Sequence, residues 1–215
     1  MQRETSQRET GQRSRDLHRF LTFVDACIAI AVTLLVLPLV ETATAIKGTV
    51  PLSDFLSSHQ SLFWSFLLSF GVIALIWTGQ HAYVSMVDAA DRAFVNWTLG
   101  WTLCVVLLPV PTALMSTYNS RSGIVPLYIG LLLVNGLLSA GLATHVWRTP
   151  ALWAPGVQAF DVAPINAWVT AGCYAIAFVL GATLPSVNFY ALLALVLVGP
   201  IAGRIRRRLS ANVKA

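Results

Sequence analysis

The sequence predicts an all-α integral membrane protein with six transmembrane helices per chain and both termini in the cytoplasm. Three observations predict it. Of the 215 residues, 56% are hydrophobic and only 11% are charged, less than half of the roughly 25% that lets a soluble domain face water. The apolar residues fall in runs long enough to cross a bilayer. Lys and Arg crowd into alternate connecting segments, as the positive-inside rule requires. This composition excludes an ordinary soluble enzyme and a disordered chain.

Each element follows in order. Residues 1–18 are polar and repetitive (QRETS, QRETG, QRS), too poor in apolar surface to order themselves, and read as a disordered cytoplasmic tail. A spanning helix needs about 20 apolar residues at 1.5 Å rise each. The first span runs from about Arg19 to Val40 and carries one internal charge, Asp25. The second runs from about Leu62 to Val84, the third from Phe94 to Tyr118, the fourth from Val125 to Trp147. Pro109 and Pro111 inside the third should kink it or break its ladder. From Pro164 to Gly203 there is no charge, and the Pro185-Ser186-Val187-Asn188 break divides this stretch into a fifth and a sixth helix. The domain layout is therefore a tail (1–18), a six-helix unit (19–208) and a second cytoplasmic tail (209–215).

With the N-terminus inside, cytoplasmic segments hold 12 Lys and Arg and the outer loops hold only Lys47 and Arg121. The net charge of +5 thus reports topology. The cluster Arg204 to Arg208 reads as an anchor beside acidic headgroups rather than a nucleic-acid patch. Trp64 and Tyr118 on one side, with Trp97, Trp147 and Trp168 on the other, fit aromatic belts. Cys27, Cys104 and Cys173 lie inside apolar runs without CxxC spacing and read as small hydrophobes.

Asp25 is the polar residue most in need of a partner, since a carboxylate near a bilayer centre costs on the order of 3 kcal/mol. The antiparallel order of the helices places His81 and Asn96 at a similar depth, with Arg19 just below and Trp77 one turn above His81. A carboxylate, an imidazole and an amide at one level can satisfy one another. Such a cluster is either a latch that fixes packing or a proton site or gate. Intramembrane hydrogen bonds are modest glue that needs no chemistry, which favours the latch. His59 and His145 stand alone and are assigned to no site. No HExxH, GxSxG, P-loop or GxGxxG pattern is present, so no enzyme, cofactor or resident metal is expected. The sequence also lacks TVGYG, the run that builds a filter of backbone carbonyls. Ile30, Leu34, Leu37 and Glu41 recur at steps of four, three and four, which sets them on one helix stripe beside Thr33. Spacing alone makes this a packing or lipid face.

Arg19-Phe20-Leu21-Thr22-Phe23-Val24-Asp25 resembles the RxxxFSD signature that opens the first helix of the bacterial and endolysosomal transmembrane potassium-channel family. Arg19, Phe23 and Asp25 match, and Val24 replaces the serine. The apolar run Ile28 to Val36, Trp77 and His81, and Asn96 with Leu108-Pro109 and Thr112 extend the likeness over about Arg19 to Tyr118. The resemblance implies a homotetramer in a prokaryotic cell membrane, passing K+ through a central pore lined by helix one. It implies an apolar constriction at Ile30, Leu34 and Leu37, a hydroxyl layer at Thr33 and Glu41 at the mouth. Arg19, Phe23, Asp25, Trp77, His81 and Asn96 would be a supporting polar network. The competing reading is a proton-coupled transporter or proton leak using Asp25 and His81.

Overall fold

The computed structural model describes residues 2–45, 50–117 and 124–183. They form α1 (Gln2–Leu34), α2 (Leu37–Ala45), α3 (Leu52–Ser58), α4 (Gln60–Val84), α5 (Arg92–Leu107), α6 (Pro109–Thr117), α7 (Ile124–Arg148), a 3₁₀ turn (Pro150–Leu152) and α8 (Ile165–Thr183). Five described helical segments are long and apolar enough to cross a membrane: Ser14–Ala45, Gln60–Val84, Arg92–Met115, Ile124–Arg148 and Ile165–Thr183. The expected sixth span, and the Pro185–Asn188 break before it, lie outside the described residues.

Residues 2–18, expected to be a disordered tail, are helical and continuous with the first span. Arg, Gln and Glu are good helix formers, and the span that follows supplies the costly nucleus onto which they propagate. The first span is itself broken, against the expectation of one uninterrupted helix. Pro38 has no N–H for the carbonyl of Leu34. The chain tightens there through i→i−3 bonds from Leu35 N to Val32 O and from Val36 N to Thr33 O, both 3.3 Å. The third span breaks at Leu108 where Pro109 and Pro111 remove two donors. Thr112 Oγ1 donates to Leu108 O at 2.8 Å and lies 2.8 Å from Ser69 Oγ on α4, so α4 braces the broken ladder.

The main core joins Val24 and Ile28 of α1, and Leu35 in the turn after it, to Val72 and Ile73 of α4, Trp101 and Val105 of α5, Tyr128, Ile129 and Leu132 of α7, and Tyr174 of α8. On α1 the buried set recurs at steps that keep one stripe inward, with Ala31 fully buried between Ile28 and Leu35. Gly136 on α7 lets α8 approach, because a Cβ there would lie 2.8 Å from Tyr174 Cδ2. A second cluster seals one end of the bundle, uniting Leu17, Val84, Val87, Phe94, Leu142, Val146, Leu152 and Val162. The segment after α7 is stitched to the α4–α5 connection by Asp88 N to Leu152 O at 3.0 Å and Ala154 N to Met86 O at 2.9 Å.

Candidate functional site

Helix α1 presents two unlike faces. Val24, Ile28, Ala31 and Leu35 pack into the chain. On the other side Ile30 is 60% exposed and Leu34 45%, with Thr33 exposed beside them; beyond the break, Leu37 of α2 is 48% exposed and Glu41 is exposed too. A membrane helix with apolar residues all round has something apolar to meet on each side, and among the described residues nothing covers the second face. Thr33 Oγ1 donates to Ile30 O at 2.8 Å. Its hydroxyl proton is held by the helix, and its oxygen lone pairs stay free.

The polar network assembles in part. Trp77 Nε1 donates to Asp25 Oδ1 at 2.9 Å, and the Trp77 ring lies against His81 with centroids 5.3 Å apart. Asp25, Trp77 and His81 line one cavity of about 260 Å³ between α1, α4 and α5, where Thr98 and Trp101 form part of the α5 wall. Asn96 is not in it. It is exposed, because Phe94, Thr98 and Trp101 hold the inward face of α5 and Asn96 sits on the other side. Arg19 and Phe23 are also exposed and do not join the network. Val24, where the signature has serine, is 4% exposed and packed in the main core, so an apolar contact stands in place of a hydroxyl.

His145, read as solitary, is paired. Its Nε2 lies 3.0 and 2.9 Å from the two carboxylate oxygens of Asp91. Asp91 also caps α5, accepting from Phe94 N at 2.7 Å, which satisfies one orphan donor of the first turn. Burial pushes the Asp91 carboxyl upward, but the Phe94 N–H and the His145 imidazole outweigh it and hold the carboxyl below its ordinary value. The signal was present in the sequence: an N-cap Asp three residues before Phe94, and a His in the last turn of a helix ending on the same side. His59 bonds only locally, its Nδ1 2.9 Å from Phe55 O. Among the described residues no group of three or more His, Cys, Asp or Glu could hold a metal ion.

Comparison with known proteins adds the following. The family described as endosomal/lysosomal potassium channel TMEM175 matches residues 19–109. A potassium channel of Chamaesiphon minutus is 30% identical over 167 residues, covering 75% of this chain and 82% of the relative. A potassium channel of Streptomyces collinus is 30% identical over 145 residues, covering 66% and 69%. The mouse endosomal/lysosomal proton channel TMEM175 is 24% identical over 155 residues, 70% of this chain but 30% of the mouse protein. The crystal structure of a lysosomal potassium-selective channel TMEM175 homolog from Chamaesiphon minutus superposes with a TM-score of 0.69 at 24% identity, covering 87% of this chain and 97% of that one.

Proposed function

The chain belongs to the TMEM175 family, and from that premise we propose that it is a potassium channel conducting K+ passively through a pore built on α1. The observation that carries the pore is the exposure, among the described residues, of Ile30 and Leu34 on α1 and of Leu37 at the start of α2, with Thr33 exposed beside them. In a homotetramer four such faces meet around an axis and form stacked apolar rings, with Glu41 at the mouth. A narrow apolar ring offers an ion nothing to replace its water and gates by dewetting. Potassium holds its shell less tightly than sodium, so the ring favours potassium without a carbonyl filter. The oxygen of Thr33 supplies one polar layer among the rings. Both termini face the cytoplasm of a prokaryotic cell, whose plasma membrane the protein crosses several times, and Asp25, Trp77 and His81 form a latch behind the pore helix.

Flux from liposomes tests this reading. Purified protein should release trapped K+ passively and faster than Na+. Ile30→Asn or Leu34→Asn should wet the ring, raise conductance and erode the preference, while Leu67→Asn on α4 should do neither. An unchanged potassium-to-sodium ratio in both α1 variants would move the constriction elsewhere. A second reading is proton passage, favoured by Asp25 and His81 lining one cavity and by the proton channel among the relatives. It requires acid-driven proton uptake that Asp25→Asn abolishes.

A further inference from the structure

Phe23 separates from the network with which its sequence position groups it. Its ring is 55% exposed, and it lies on the unbroken part of α1. At about 100° per residue, Phe23 stands seven residues before Ile30 and eleven before Leu34. Its direction therefore falls between theirs, about 20° from each. Two residues along, Asp25 faces α4 and is held there by Trp77, off the face of Phe23; Asp16, seven residues before Phe23 and exposed, shares that face about 10 Å further along the axis.

We propose that four copies of Phe23 form an aromatic collar about 10 Å from the Ile30 ring along the axis, and that this collar binds large organic cations of the quaternary ammonium class. The assignment rests on the α1 pore. An aromatic face carries negative potential and attracts a cation within about 6 Å of its centroid. A quaternary ammonium has no N–H, needs no acceptor, and gives up little water to lie among four rings. Its alkyl arms cannot follow K+ through the apolar constriction, so it stops at the collar and blocks. Arg19 lies four residues earlier on the same outward side and is exposed. Among the described residues no carboxylate pairs with it at salt-bridge distance. Its charge opposes an arriving cation, which separates the electrostatics of entry from the attraction of the ring.

The test is block of K+ current by tetraethylammonium in planar bilayers, with the ion applied to each side in turn. The native channel should be blocked from the side on which Arg19 lies and not from the other. Phe23→Leu should weaken block about tenfold, Phe23→Tyr should preserve it, Phe23→Trp should tighten it, and Arg19→Gln should strengthen it. Absence of block in the native channel overturns the collar, as does equal block in Phe23→Leu. If Phe23→Leu fails to assemble, the Tyr and Trp variants decide, and a Trp variant no tighter than Tyr overturns the proposal. Ile30→Cys with a thiol reagent distinguishes the two failures. Current modified at Cys with block indifferent to Phe23 sinks the collar alone, whereas current indifferent to the reagent sinks the pore beneath it.

Discussion

At the residue scale, neighbours on one helix carry different duties because two positions turn a side chain through about 200°. Phe23 faces outward, Val24 packs in the core, and Asp25 reaches α4. The bond from Trp77 to Asp25 calls for an acceptor rather than a charge. Asp25→Asn should therefore keep most of the assembly, while Asp25→Leu strands the indole N–H at a cost of about 1 kcal/mol or more; size-exclusion profiles in detergent distinguish the two. At Asp91 the sign follows from its lowered carboxyl. A group depressed in the folded state adds stability that is fully present above the unfolded carboxyl range, about pH 4. That stability is lost as pH falls through the lower folded value. Solvent screens the pair, whose side chains are 24% and 41% exposed, so the contribution is small. Asp91→Asn keeps a good N-cap residue and removes the charge. Thermal unfolding from pH 7 to pH 3 should show the native protein losing its margin over Asp91→Asn on the acid side of about pH 4. An equal margin throughout would show that the pairing with His145 adds nothing.

At the element scale, prolines decide where spans break and small residues decide how closely they pack. Pro38 separates α1 from α2 between Leu34 and Leu37, so two rings of the proposed constriction lie on either side of a joint. Pro38→Ala restores a donor and lets one helix run through. The expected result is a lower open probability or an altered conductance, read in single-channel recordings, because Leu37 turns relative to Leu34. Gly136→Ala tests the α7–α8 contact. The new methyl would meet Tyr174 Cδ2, with the Ala171 backbone 3.4 Å away, so the helices must part, at about 1–3 kcal/mol of stability. The thermal midpoint in detergent should fall, and an unchanged midpoint would mean that Tyr174 swings aside freely.

At the scale of the whole molecule, topology is the testable property. The 12-to-2 asymmetry of basic residues predicts that cysteines placed near Thr49 and near Ala90 label from opposite sides, the first outside; labelling of both from one side would overturn the six-span map. Between 17% and 44% of the apolar window of each described span is buried within the chain, so more than half of each window is not buried there. The sequence by itself determined the class of fold, the ends of α4 and α7 and the start of α8 to within a few residues, and the break at Pro109. Each of these depends on local quantities: run length, missing charge, a missing N–H. The spacing of Ile30, Leu34 and Leu37 was legible as a helical period, although the structure divides it between α1 and α2. Which stripe stays uncovered was not, because that depends on where the neighbouring helices lie. Only the tertiary structure removed Asn96 and Arg19 from the polar network, turned Phe23 outward, and brought His145 to Asp91 across 54 residues. Depth along a span can be counted from a sequence. Rotation about its axis is settled by packing, since the side chains that win the interior, Phe94, Thr98 and Trp101 on α5, set the direction in which all the others point.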